Sequence, residues 1–181
     1  MRIVRTRSGH PVEVRAAEPA DAPALLAYFQ RVGAESPHLT FGAEGVELTE
    51  AEEHAYIART RNLENVLFLV AVMGGELVGS LTFTGGPRPR NRHTGEFGVS
   101  VAQPYWGEGV GRALVEEMLE WAVAGGIIRK IDLRVRTDNA RAIALYERLG
   151  FTVEGRMTRT LLTDGRFHDS FLMGRQVDPV P

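Results

Sequence analysis

The stretch "YWGEGVGRAL", residues 105–114, sets glycines at alternate positions, Gly107, Gly109 and Gly111, and then runs straight into leucine-rich helical sequence. Glycine in a helix interior costs roughly 1 kcal/mol against alanine, so three of them at a helix start imply a need for bare backbone. Amides at a helix N-terminus carry partial positive charge and unused hydrogen-bonding capacity, which makes such a strand-to-helix turn a cradle for phosphates. Two common nucleotide loops do not fit. A Walker loop needs lysine and then serine or threonine after its last glycine, whereas Gly111 is followed by Arg112 and Ala113. A dinucleotide fingerprint needs glycine three positions beyond Gly109, where Arg112 stands again. At this point a tight turn without a ligand is the competing reading.

Working outward, Leu114, Val115, Met118, Trp121 and Ala122 share one helical face, Glu116, Glu117 and Glu120 point away, and the helix ends near Gly125 and Gly126. "GEFGVSV" before the turn and "IIRKIDLRV" after the helix read as strands. "NARAIALYERLG" is a short helix closed by Gly150, and "FTVEGRMTRTLL" with "RFHDSFLMGR" form a strand pair around Asp164 and Gly165. Toward the N-terminus, "VEVRAA" alternates like a first strand, and "DAPALLAYFQRVG" has helical spacing with Asp21 as its cap. Thr49 and Glu52 stand at capping-box spacing, which predicts a helix at about 49–61. "NVLFLVAVMGGELVGSLTF" reads as two strands joined by a hairpin at Gly74 and Gly75. The order predicts an α/β (α+β) chain.

With 181 residues the chain suits one domain, 1–181, with a core at about 12–177 and a short tail at 178–181. A formal net charge of -2 gives no electrostatic reason to expect nucleic acid or an anionic membrane as partner. No cysteine is present, which excludes disulfides and thiolate chemistry, and the five histidines form no pair at helical ligand spacing, so no metal site is expected. The N-terminal segment lacks the apolar run of a signal peptide and no stretch approaches the ~18 apolar residues of a membrane span, so the expected location is cytoplasmic.

"VSVAQPYWGEGVGRALVEEM", preceded by "GEFG" and followed by "TDNARAIALYERLGF", resembles the GNAT superfamily of N-acetyltransferases over nearly the whole chain. The resemblance implies a mixed, mostly antiparallel central sheet of about six to seven strands flanked by about four helices. Two central strands would splay apart to admit the pantetheine arm of acetyl-CoA, the expected cosubstrate. One departure stands at position 106, where the usual glutamine or arginine is replaced by Trp106. Aromatic residues there also occur in the branch that acetylates protein N-termini, including those of ribosomal proteins.

The resemblance also implies roles for particular residues. Val99, Ser100 and Val101 would run beside pantetheine, and Gly107, Glu108, Gly109, Val110, Gly111 and Arg112 would line the pyrophosphate. Asn139 matches the asparagine that bonds the pantetheine region, although it equally suits a helix cap. Tyr146 matches the tyrosine that donates to the coenzyme A thiolate, and Glu96 matches a glutamate that deprotonates the amine, usually through water. A strand position used as a base in some relatives holds Arg134 here. Arg88, Arg90, Arg92 and His93 crowd one loop that reads as solvated, and His168 and Asp169 could border the acceptor pocket beneath the loop at about 33–48. The expected reaction is direct attack of a primary amine, on a small molecule or a protein N-terminus, on the bound thioester. A non-catalytic acetyl-CoA-binding regulatory module is the alternative. The exposed sheet edge or the terminal hairpin would allow a homodimer.

Overall fold

The computed structural model describes residues 2–178. Its elements run β1 (Arg2–Arg5), β2 (Pro11–Ala16), α1 (Ala22–Glu35), α2 (Glu50–Thr60), β3 (Val66–Met73), β4 (Glu76–Gly85) and β5 (Thr94–Val101), followed by α3 (Val110–Gly125), β6 (Lys130–Arg136), α4 (Ala140–Arg148), β7 (Thr152–Thr163) and β8 (Arg166–Gln176). The strands form one sheet in the order β1-β2-β3-β4-β5-β6-β8-β7. Among its neighbours only β5 and β6 are parallel, as their connection through α3 requires.

This sheet has eight strands, one more than the expected upper count, because Arg2–Arg5 folds back on β2. Thr6 donates its amide to the His10 carbonyl, and Gly9 to that of Thr6, closing the connection. Ile3 in β1 is 66% exposed while the half-buried positions are Arg2 and Val4, so apolar residues do not mark the core-facing side of the strand in the sequence. At the other end Val177 is buried and donates to the Arg129 carbonyl, while residues 179–181 of the expected tail lie outside the described residues.

Helices cover both faces. Successive residues of β3 divide between two cores: Phe68 and Val70 pack with Leu25, Tyr28 and Val32 of α1 and Ile57 of α2, while Leu69 and Ala71 pack with Leu114, Val115 and Met118 of α3. Each such fully buried large side chain contributes about 1.5–3 kcal/mol, so α3 is held to the sheet mainly by its apolar stripe. Local signals fix the helix ends. Thr49 Oγ1 accepts from the Glu52 amide at 3.3 Å and the Glu52 carboxylate accepts from the Thr49 amide at 2.8 Å, so α2 begins where the capping box predicts. Asp21 precedes α1 but makes no side-chain cap; its carboxylate pairs with Arg15 at 2.7 Å instead.

The feature that matters for function is an interrupted ladder. Strands β5 and β6 pair only at Thr94–Lys130, Gly95–Ile131 and Glu96–Asp132, and beyond Phe97 and Leu133 they diverge.

Candidate active site

The register of β4 against β5 decides which backbone groups enter the resulting cleft. The Ala102 amide donates to the Val78 carbonyl at 3.0 Å and the Gly86 amide to the Thr94 carbonyl at 2.9 Å. In an antiparallel ladder the hydrogen-bonded pairs alternate, so Glu96, Gly98 and Ser100 spend their backbone groups on Thr84, Thr82 and Ser80. Val99 and Val101 therefore direct their N–H and C=O groups away from β4, toward the side where β6 has separated. Ser100, expected beside pantetheine, is turned elsewhere on both counts: its backbone faces β4, and its Oγ lies 3.0 Å from the Tyr28 hydroxyl on the α1 side.

The glycine turn stands at the mouth of this cleft. Gly107 and Gly109 have φ of 84° and 95°, a conformation that favours glycine, and a Cβ at Gly109 would meet nothing within 4 Å. The first internal bond of α3 runs from the Ala113 amide to the Gly109 carbonyl at 3.0 Å. The amides of Val110, Gly111 and Arg112 precede it and have no backbone partner among the described residues. The turn is thus open, bare and rich in donors, which fits a diphosphate. The Glu108 and Arg112 side chains are occupied outside it. The Glu108 carboxylate accepts from Ser8 Oγ at 2.7 Å and from the Ser8 amide at 2.8 Å, bonds that hold it below the usual carboxylate range. The Arg112 guanidinium pairs with Glu116 at 2.7 Å. Arg112 is left with its amide to offer, whereas the Glu108 backbone is engaged too: its carbonyl accepts from the Arg7 amide at 3.0 Å and its amide donates to the Tyr105 carbonyl at 3.4 Å.

Tyr146 lies beneath the start of the divergence. Its ring meets Phe97 of β5 edge-on at 5.8 Å and Phe151 at 6.1 Å between centroids. Burial pushes the phenol well above its ordinary value, so at neutral pH it stays protonated and keeps an O–H to donate. Asn139 caps α4, its Oδ1 accepting from the Ala142 amide at 3.2 Å, which leaves its side-chain N–H groups for a second partner.

Glu96 lies on the opposite face of β5, where both carboxylate oxygens accept from Arg134, from Nε and from Nη2 at 2.9 Å each. Glu96 and the arginine that stands where some relatives carry a base are thus one ion pair. To take a proton, Glu96 must release one of these bonds or act through water. On the same face a cavity of about 270 Å³ is lined by Pro37, Arg136, Thr163, Asp164, Arg166 and His168. Arg136 is nearly buried and fully engaged: it pairs with Asp138 at 2.6 Å, donates to the Pro37 carbonyl at 2.6 Å, and lies 3.0 Å from His168 Nδ1. His168 thus lines this cavity. Asp169 does not, because its carboxylate accepts from Arg156 and from the Arg159 amide.

Arg136 and its neighbour His38, whose Nδ1 lies 3.8 Å from an Asp138 carboxylate oxygen, are missed by sequence reasoning, since no motif marks them and their contacts span distant segments. In the basic loop Arg92 pairs with Glu64 across an exposed surface, in keeping with a solvated role. Among the described residues no group of three or more His, Cys, Asp or Glu is placed to hold a metal ion, and no helix is long and apolar enough to cross a membrane.

Known proteins share this sequence and architecture. The profile described as "Acetyltransferase (GNAT) family" matches residues 35–151. The chain is 32% identical over 130 residues to the L-amino acid N-acetyltransferase AaaT of Escherichia coli, covering 72% of this chain and 80% of that protein. It is 32% identical over 170 residues to an L-methionine sulfoximine/L-methionine sulfone acetyltransferase of Pseudomonas aeruginosa, covering 92% and 95%. Among solved structures, a GNAT-family acetyltransferase from Streptococcus pneumoniae matches with a TM-score of 0.89 at 34% identity, over 92% of this chain and 99% of that one.

Proposed function

The chain belongs to the GNAT acetyltransferase family, an acetyl-CoA-dependent acyltransferase acting on amines, and from that premise we propose that it acetylates the primary amine of a small, amino-acid-like acceptor by direct attack. The observation that carries the reading is the unfinished ladder: β5 presents Val99 and Val101 backbone groups to a cleft that has the glycine turn at its mouth and Tyr146 at its base.

Acetyl-CoA supplies the activated acetyl group as a thioester. The amides of Gly107 and of Gly109 to Arg112 hold the diphosphate end, the Val99 carbonyl and the Val101 amide align the arm as a strand would, and the Val99 amide donates to the thioester oxygen as negative charge grows there. The Asn139 side-chain N–H groups bond the arm near α4. Glu96 accepts the amine proton through water, with Arg134 fixing the direction of its carboxylate. Tyr146 donates a hydrogen bond to the departing sulfur. A thiol of pKa about 8.5 is a far stronger acid than a buried phenol, so complete proton transfer from Tyr146 runs uphill and stabilisation of the thiolate by the O–H is its role.

A small acceptor is supported by two relatives at 32% identity whose names specify amino acids or close analogues, and the cavity of about 270 Å³ beside Arg136 has room for a molecule of that size. The test is acetyl-CoA-dependent thiol release across a panel of free L-amino acids, polyamines and peptides with free N-termini. Turnover strongest on free amino acids is expected. Preference for peptides would transfer the assignment to protein N-termini, and absence of thiol release with every acceptor, while acetyl-CoA still binds, would favour the regulatory-module alternative.

A further inference from the structure

Arg141 stands in the first turn of α4, which carries no acidic residue, and no ion pair to it exists among the described residues. A cation there opposes the helix macrodipole, so its position is electrostatically unfavourable unless an anion joins it. The guanidinium is nevertheless held in place. Its Cζ lies 5.4 Å from the centroid of the Trp106 ring, a cation–π contact. Trp106 is itself fixed, because its Nε1 donates to the Val101 carbonyl at 2.6 Å. The outcome is that Arg141 Nη2 sits 3.7 Å from the point where a Cβ on Gly107 would be. The donor-rich start of α3, the start of α4 and a guanidinium without a carboxylate converge on one side of the glycine turn.

We propose that Arg141 is a diphosphate-binding residue of the cofactor site and that Trp106 is a positioning residue acting through it. The proposal rests on the reading that the glycine turn binds acetyl-CoA. Arginine suits the task, since its planar fork can donate two parallel bonds to neighbouring phosphate oxygens. The indole supplies a face that orients the fork without competing for its N–H groups, as a carboxylate partner would. The same indole closes the Val101 carbonyl, leaving the Val101 amide and both Val99 groups as the strand contacts for the arm.

The experiment is calorimetric binding of coenzyme A and of 3′-dephospho-coenzyme A to the wild type, R141Q, R141K, W106L and the double variant. R141Q should weaken both ligands alike, by roughly 10- to 100-fold, the range for a charge-assisted hydrogen bond. R141K should recover part of the loss, W106L should follow R141Q in direction, and the double variant should lose little more than R141Q alone. Wild-type affinity in R141Q would overturn the proposal. So would a loss in R141Q that disappears with 3′-dephospho-coenzyme A, which would assign Arg141 to the ribose phosphate, and so would fully additive losses in the double variant, which would separate Trp106 from Arg141. If the wild type itself binds neither ligand, the acetyl-transfer reading falls as well.

Discussion

Replacing Tyr146 with phenylalanine separates chemistry from packing more cleanly than any other change at this site. The ring would keep its edge-on contacts with Phe97 and Phe151, at 5.8 and 6.1 Å, because the two side chains share a shape. No protein group bonds the hydroxyl among the described residues, so its removal leaves no orphaned partner, and the change in stability should stay within about 0.5 kcal/mol. The departing thiolate, by contrast, loses its only proposed donor from α4. A positioned donor of this kind accounts for about a hundredfold in rate, or about 2.7 kcal/mol of barrier. The expected kinetic result is therefore a kcat lower by about 10²-fold with the KM for acetyl-CoA little changed, measured by thiol release. A second readout follows from burial. Because the folded state raises the phenol above its ordinary 10.0, stability is intact below that pH and is lost as pH rises beyond it, and the phenylalanine variant should lack this alkaline loss. A variant with wild-type kcat, or one whose thermal midpoint collapses at neutral pH, would refute the role given to Tyr146.

Gly109→Ala should lower stability by about 1–2 kcal/mol, since φ of 95° is strained for any residue with a Cβ, and should weaken coenzyme A binding in calorimetry as the cradle distorts. Glu96→Gln should lower kcat about tenfold or more at neutral pH while shifting denaturant stability by less than about 1 kcal/mol, because its pair with Arg134 is exposed; undiminished kcat would leave the amine proton to solvent. Burial, and then Arg136, hold His38 below its ordinary 6.5, so its contribution to stability is present above that value and is lost as pH falls through the lower folded value. Denaturant titrations of H38N at pH 7.5 and 5.5 should accordingly show a smaller difference between the two pH values than the wild type does.

What could be read from the sequence is what short segments decide for themselves. The Gly74–Gly75 hairpin, the Thr49 capping box and the positive-φ glycines of the turn depend on neighbours within a few residues, and the fold places them where local chemistry asks. Strand β1 escaped because its hydrophobicity does not follow its burial: half-buried Arg2 and Val4 alternate with exposed Ile3 and Arg5. The misplacement of Ser100 has a different origin. Whether an amide faces the cleft or the next strand depends on ladder parity, which turns over with a one-residue shift and is not written in "VSV". The Glu96–Arg134 pair is likewise invisible in one dimension, since 38 residues separate its members and only the parallel register brings them side by side.

That register also explains why binding and chemistry share a location. Most of the sheet satisfies its own backbone groups, but past Glu96 and Asp132 two adjacent strands part, and both Val99 groups and the Val101 amide on the inner edge lose the neighbour that would have completed them, while the Val101 carbonyl is closed by the Trp106 indole. An arm with alternating amide donors and acceptors can take that neighbour's place, so recognition of the cofactor and completion of the sheet become one event. Depth along the cleft then sets the chemistry. Tyr146 lies on the α4 face and Glu96 on the α1 face, so in the proposed reaction the hydrogen-bond donor to sulfur and the proton acceptor for the amine stand on opposite sides of the sheet. The proposed direct transfer uses that separation: the amine would lose its proton on the side from which it enters, and the sulfur would find its hydrogen-bond donor on the side toward which it leaves.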